Sequence, residues 1–337
     1  MKKSFLEITE ESVDKKSRIK RLHDSVFKTG IIDIQKITEI PEKILNTIDQ
    51  QYEILSLSEV DRKISNDGTV KFLFKLHDGL CIESVLILDD KQRVTMCISS
   101  QVGCRMGCTF CKTSIMGLQR NLSAFEIVSQ VIYLFHFMKY EKQINTSMFN
   151  IVYMGMGEPF DNYENCLSSI QILCDKRYFS LHPSWITVST CGIIDKAEEI
   201  LEVFPRLRIA ISLHSAINSK RTEIMKITKK FSVPDIKETL QKIYEKYKQR
   251  ITLEYVLIKN YNDHIEDIDA LEIFNHKAFH INIIPLNNEI NGYTPPTDSE
   301  VKDFRYELTK RGFFATMRIR KGGDIQADCG QLYLETM

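Results

Sequence analysis

From about residue 92 onward, two hydrophobic periods alternate along the chain. Short β-branched or aromatic runs recur: RVTMCISS (93–100), FNIVYMG (149–155), SWITVST (184–190), LRIAISLH (207–214), ITLEYVLI (251–258), FHINIIP (279–285) and FFATMRI (313–319). Between them lie longer stretches with helical spacing. Runs of this kind predict strands, and their alternation with helices predicts an α/β fold with a parallel sheet. The helices carry start and stop signals. Ser123 with Glu126 frames a capping box ahead of IVSQVIYLFHFM, and Thr297 with Glu300 frames another. Pro234 suits the first turn of PDIKETLQKIYEKY, and Gly312 ends the helix before FFATMRI. Successive β/α units close into an open doubly wound sheet or into a barrel, and spacing alone does not choose.

Residues 1 to about 80 lack this rhythm. KSRIKRLHDSVFKTGIIDIQKITEIPEKILNTID predicts two or three short helices, and TVKFLFKLHDGLCIESVLIL alternates as an antiparallel pair turned at Asp78–Gly79. The expected organisation is an N-terminal accessory domain over 1–85, a core over 90–325 and a C-terminal segment over 326–337.

At 337 residues the chain can bury a sizeable core. No run approaches the length of a membrane span, and MKKSFLEITEESVDKK turns acidic before any apolar stretch develops, so it makes a poor signal peptide. Nine cysteines, an odd number without secretory features, predict reduced thiols and a cytoplasmic location. Forty-five basic and forty-five acidic residues cancel, so bulk charge names no nucleic-acid partner and only local patches could supply one.

The chemistry concentrates in SQVGCRMGCTFCKTS, where Cys104, Cys108 and Cys111 stand in CxxxCxxC spacing. Thiolates are soft ligands suited to zinc, copper(I) or iron–sulfur centres. Structural zinc closes with four ligands, so a zinc loop here would borrow Cys97 or a histidine. Three thiols on a loop after a strand instead leave one iron of a 4Fe–4S cube without a protein ligand, open to a substrate or cofactor. Further candidates fall at other strand ends, where β/α folds collect their chemistry. MGMGEP offers Gly155 and Gly157 for close backbone approach and Glu158 as an acceptor for an ammonium. Ser189 ends the third strand, Ser212, Leu213 and His214 the fourth, and Asn287 follows the sixth.

CxxxCxxC resembles the signature of the radical S-adenosylmethionine (SAM) enzymes, in which the open iron binds SAM. CISSQVGCRMGCTFC, MGMGEP, VSTCGII, AISLH, EYVLIKNYND, NIIPLN and CGQL occur in the order and spacing of the RlmN/Cfr family of adenosine-methylating enzymes. RIKRLHDSVFKTGI and DGLCIESVLI look like that family's accessory domain. The resemblance implies a partial β/α barrel of the radical SAM type with a small N-terminal helical accessory domain. It implies a 4Fe–4S cluster on Cys104, Cys108 and Cys111, and SAM held by Gly157, Glu158, Ser189, Ser212, Leu213, His214 and Asn287. It makes Cys329 the methyl carrier and Cys97 the thiol that resolves the covalent RNA adduct by forming a disulfide with it. Glu83 matches the family's proton acceptor; as a strand glutamate it would by default be exposed.

The implied substrate is an adenosine of 23S rRNA, with tRNA as a second RNA and carbon 2 as the first target. The alternatives are carbon 8, as in Cfr, a radical SAM enzyme acting on another RNA or a peptide, and a zinc- or cluster-stabilised RNA-binding protein. The expected partners are RNA and an electron donor such as flavodoxin or ferredoxin, with a monomeric chain and no membrane. Basic runs at 305–323 (Arg305, Lys310, Arg311, Arg318, Arg320, Lys321) and 219–230 (Lys220, Arg221, Lys226, Lys229, Lys230) are candidate RNA contacts, with KKSRIKR as a weaker third. Lys112, Ser114, Gln326 and Asp328 depart from the family pattern, as does the lack of a proline after Asn287 in PLNN. A carboxylate at Asp328 is expected to raise the Cys329 thiol pKa and slow its methylation.

Overall fold

A computed structural model describes residues 2–13, 15–89, 93–146, 148–274, 276–318 and 320–332. The chain opens with strand β1 (Lys3–Ser4), helices α1 (Glu10–Val13), α2 (Lys16–Phe27) and α3 (Glu42–Gln51), and strand β2 (Tyr52–Glu53), which pairs with β1. β3 (Leu57–Ile64), β4 (Val70–Leu76), β5 (Cys81–Leu88) and β6 (Val94–Cys97) follow as an antiparallel meander. The β4–β5 turn falls at Asp78–Gly79, where Gly79 adopts a positive φ. Next come β7 (Gln101–Gly103), α4 (Lys112–Ile115) and β8 (Leu118–Asn121), with β7 and β8 forming a ribbon that frames the cysteine loop.

Regular β/α units then begin: α5 (Ala124–Tyr140), β9 (Phe149–Tyr153), α6 (Tyr163–Cys174), β10 (Ile186–Thr190), α7 (Ile194–Val203), β11 (Arg208–Ser212), α8 (Asn218–Ile224) and α9 (Val233–Tyr247). β12 (Ile251–Leu257), α10 (Ile265–Leu271), β13 (Phe279–Pro285), α11 (Asp298–Lys310) and β14 (Phe314–Met317) complete them. The capping boxes at Ser123 and Thr297 form, and Pro234 lies in the first turn of α9.

All the strands from β3 on, apart from the β7–β8 ribbon, join one sheet in the order β14-β13-β12-β11-β10-β9-β6-β5-β4-β3. Its parallel part runs from β6 through β9 to β14, and among the described residues β14 pairs with β13 alone, so the barrel is partial. The expected domain division at 85–90 falls within this sheet, between β5 and β6, which pair from Val85↔Cys97 to Leu88↔Val94. Alternation along the strands separates two faces. On the helix side, Tyr153 bonds Ser169 of α6 at 2.7 Å, Tyr255 stacks on Phe304 of α11, and Phe72 and Phe74 meet Tyr133 of α5. The other face lines the concave lumen.

Beyond β14, residues 320–332 stay against the barrel. They cross from the β14 edge to the turn between β3 and β4. There Asp324 accepts bonds from Ser65 Oγ (2.5 Å) and Asn66 N (3.2 Å), and Gly322 N donates to Asp67 (2.9 Å). Among the described residues no helix is long and apolar enough to cross a membrane.

Candidate active site and cofactor cleft

The cysteine loop folds over the C-terminal ends of the parallel strands. Cys104, Cys108 and Cys111 line one cleft with Glu158, Ser189, Ser212, His214, Glu254 and Cys329. The space enclosed, open solvent included, is about 860 Å³, within the range of small-molecule and cofactor sites. Phe110, Met225, Val256 and Ile284, members of a small apolar cluster, form one wall.

Burial pushes the Cys104 thiol up to about 12 and that of Cys108 well above its ordinary value; the neighbouring cluster thiols add to both effects. Ligation by a metal would release these protons. Among the described residues no three His, Cys, Asp or Glu side chains crowd together as a single metal ion requires. Three soft thiols in one cleft are one fewer than a structural zinc site takes and suit a 4Fe–4S cluster.

MGMGEP packs against the chain itself. A Cβ on Gly155 would lie 2.7 Å from the Ile98 carbonyl, and one on Gly157, at φ +101°, 2.6 Å from Gln101 Cβ. The glycines allow this loop to press onto the β6–β7 connection while both residues face the cleft. Glu158 is buried. It accepts bonds from Phe160 N (3.1 Å) and Cys191 N (2.7 Å), while burial pushes its carboxyl up. The Thr190 and Cys191 side chains also bond this carboxyl group.

Ser189 and Ser212 converge on Glu254, which accepts a bond from Ser189 Oγ at 2.7 Å and lies 3.5 Å from Ser212 Oγ. His214 adopts a left-handed backbone (φ 58°), which is uncommon for histidine and signals a constrained site. Its Nδ1 accepts from Val256 N at 3.0 Å, and burial, reinforced by Arg221, pushes its pKa down to about 3. The ring is thus neutral, with the proton on Nε2. The Leu213 side chain lies in the main core, and Asn287 stands two residues beyond β13, outside the residues lining the cleft.

A second cavity, of about 650 Å³ with open solvent, lies beside the first. Cys97, at the end of β6, lines it together with Arg318, Asp328 and Cys329, and Cys329 lines both cavities. Burial pushes Cys97 up to about 12, with Cys329 adding and Arg318 opposing. The Cys329 thiol is also raised, by burial first; Arg318 opposes, and Glu254 and Asp328 add to it. All nine cysteines are free thiols, so no disulfide joins Cys97 to Cys329 in this state.

Glu83 is buried rather than exposed, and pairs with Lys71 Nζ at 2.9 Å. The β4–β5 and β5–β6 registers (Lys71↔Val85 and Val85↔Cys97) put Lys71, Glu83 and Cys97 on one face of the sheet. Lys71 Nζ also donates to the Gln326 carbonyl at 3.3 Å, tying the pair to the segment that carries Cys329. That segment is held on its other side by the cysteine loop: Lys112 N bonds Gly330 O (2.9 Å), Thr113 Oγ1 bonds Leu332 O (2.7 Å), and Lys112 Nζ bonds Gln326 Oε1 (3.1 Å).

The basic runs divide on inspection. Arg221 is fully buried and donates to the carbonyls of Leu213, Cys191 and Ser212 and to Thr228 Oγ1. Lys220 pairs with Asp267, and Arg311 with Asp269 and Glu272. These three support the fold. Lys226, Lys229 and Lys230 remain exposed. Glu254 and Lys71 were not singled out from sequence; the available signal was a charged residue inside an otherwise apolar strand (ITLEYVLI, VKFLF).

Residues 98–271 match the Radical SAM superfamily. The chain is 38% identical over 320 residues to "Probable dual-specificity RNA methyltransferase RlmN" of Thermotoga maritima, covering 94% of this chain and 91% of that protein. It is 36% identical over 321 residues to the protein of the same name in Geobacillus kaustophilus, covering 95% and 87%. Among solved structures, a radical SAM methyltransferase from Sphaerobacter thermophilus aligns with a TM-score of 0.88 at 32% identity, covering 94% of this chain and 92% of that one.

Proposed function

Because the chain belongs to the RlmN family of radical SAM RNA methyltransferases, we propose that it methylates carbon 2 of an adenosine in 23S rRNA, and in tRNA as a second substrate, through a methyl group carried on Cys329. The observation that carries this reading is the position of Cys329, which lines both the cleft of the three cluster thiols and the cavity of Cys97. A carrier must face the source of its methyl group and the thiol that releases it, and Cys329 faces both. The name of the curated relatives, with its dual specificity, supports two RNA classes.

Cys104, Cys108 and Cys111 would hold a 4Fe–4S cluster. Glu158, Ser189, Ser212 and His214 would bind SAM, with the apolar wall at Phe110 and Val256 shielding it from water. When bound, cluster and SAM would supply a methyl group, a carbon radical able to take one hydrogen from it, and an acceptor for the single electron released as the base adduct loses its ring proton. The protein residues do the rest. Cys329 sulfur holds the methyl carbon while that carbon bonds to the base. Glu83 accepts the proton from the substituted ring carbon, at the oxygen now facing Lys71 or its twin. Cys97 sulfur then attacks Cys329 sulfur: a disulfide forms, the Cys329 sulfur–carbon bond breaks, and its electron pair stays with the carbon, which takes a proton to become methyl.

The test is anaerobic. Reconstituted protein is given SAM labelled on its methyl group, a strong reductant, and unmodified rRNA or tRNA; digested RNA is read by mass spectrometry. Labelled 2-methyladenosine that disappears in Cys329→Ala is expected. 8-Methyladenosine would move the target carbon, and SAM cleavage with no label in either RNA would overturn the substrate.

A further inference from the structure

Below the two cavities, the lumen is lined in a way the reaction above does not require. Closed β/α barrels fill their inward positions with bulky branched side chains in layers. Here the register sets polar ones side by side: Thr187 next to Arg208, Thr252 next to His280, and Glu254 next to Asn282. These lumen positions are half-buried or exposed (Glu254, at the cleft end, is the buried exception), while the alternate residues facing the helices are buried. The space they enclose, open solvent included, is about 1140 Å³.

The wall is cationic. Arg208 and Arg250 are exposed on it, and neither pairs with a carboxylate among the described residues. Its one lining carboxylate, Glu254, is engaged by Ser189 and lies 3.8 Å from Arg318. An aromatic ring stands among these charges: Phe314 is 50% exposed, with the Arg250 guanidinium 5.0 Å and the His280 ring 4.8 Å from its centroid. Arginines without a carboxylate partner beside an exposed ring form the combination that holds a single nucleic-acid strand, with phosphates on the cations and a base on the ring. The lumen also continues upward, since Met154 and Arg318 line both it and the Cys97–Cys329 cavity. On the opposite side, the C-terminal segment is bonded to the cysteine loop.

We propose that the lumen is the channel through which the RNA strand carrying the target adenosine reaches Cys97 and Cys329, with Arg208 and Arg250 on its phosphates and Phe314 stacked on a base beside the target. This rests on the reading of the chain as an RNA methyltransferase. It also requires the target to be splayed from its helix, as a base must be to enter such a passage.

The test measures binding without chemistry. Full-length protein is titrated against fluorescein-labelled RNA hairpins from 23S rRNA and tRNA over a range of salt, with thermal melts confirming the fold of each variant. In the Arg208→Ala/Arg250→Ala variant, affinity should fall about tenfold or more, and the slope of log K against log salt should shrink by about 1.4, two single-strand phosphates' worth. Phe314→Ala should weaken binding about fivefold or more. A benzoylphenylalanine at position 314 should crosslink to the RNA. Binding within about twofold of the parent in both variants, or a position-314 probe that captures no RNA, overturns the channel. A parent protein that binds neither hairpin overturns the RNA methyltransferase reading itself.

Discussion

Lys71 and Glu83 are a costly pair to bury. Two desolvated charges seldom stabilise a fold more than apolar residues of the same volume would, so the pair calls for a reason beyond stability. Its geometry offers one, because Lys71 reaches both Glu83 and the Gln326 carbonyl of the Cys329 segment. If Glu83 takes the ring proton, Lys71→Met should still load methyl on Cys329 yet accumulate the protein–RNA adduct. Deuterium at the target carbon should slow adduct decay further, and Lys71→Arg should restore part of the rate. Loss of loading in step with turnover would leave Lys71 only a structural role. Asp328 makes a smaller prediction. Burial is the first cause of the raised Cys329 thiol and Arg318 opposes it, so the Asp328 carboxylate acts as a lesser influence whose own pKa burial also raises. Asp328→Ala should therefore speed methyl loading at neutral pH, by less than about tenfold, the equivalent of one pKa unit. Mass gain on the Cys329 peptide measures it, and an unchanged rate would count against the influence. The thiols, serines and Glu158 were legible in the sequence because strand ends and spacing mark them. Arg221 was not: a basic run reads as a solvated face, and only the folded chain shows its guanidinium satisfying three carbonyls and a hydroxyl.

At the scale of elements, the seven strands of the parallel sheet were readable because each is a β-branched run between good helix signals. β3 was not, because as an edge strand it exposes charged residues and buries only Leu57 along its length. β7 and β8 are three and four residues long, formed by mutual pairing around the cysteine loop rather than by propensity. The C-terminal segment has little regular structure, and many of its contacts are with residues more than two hundred positions away. Two residues that depart from the family pattern, Lys112 and Gln326, meet in one of those contacts at 3.1 Å. One such bond is a small part of the attachment, beside the bonds accepted by the Gly330 and Leu332 carbonyls. Lys112→Ala and Gln326→Ala should each raise hydrogen exchange across 322–332 by about threefold, the effect of losing one partly exposed hydrogen bond. The double variant should add little to either alone, as expected for partners in one contact. Additive effects would show that the two side chains act separately.

Across the whole molecule, the N-terminal helices are coupled to the barrel through an aromatic junction. His23 and Phe27 of α2 pack on Tyr178, with ring centroids 5.1 and 4.9 Å apart, and Phe27 also meets Phe179. Tyr178 OH in turn bonds the Leu6 carbonyl at 3.3 Å. His23 is buried and its Nε2 has no hydrogen-bond partner among the described residues. Burial first, then the nearby Arg177, pushes its pKa down to about 4, while Asp24 and Asp175 pull weakly the other way. The sign follows directly. Between about pH 6.5 and 4 the unfolded chain binds the proton that the folded chain refuses, so folding stability falls as the pH falls. The contribution is intact above pH 6.5 and reaches a loss of at most roughly 3 kcal/mol near pH 4. Because the charge would appear at the junction, α2 should open before the sheet does. Amide exchange in α2 should accelerate from pH 6.5 to 5 faster than in β12, after correction for intrinsic rates. His23→Leu keeps the apolar packing and removes the titrating group, so it should abolish the difference. Equal acid sensitivity of α2 in His23→Leu and the parent would place the acid-labile group elsewhere.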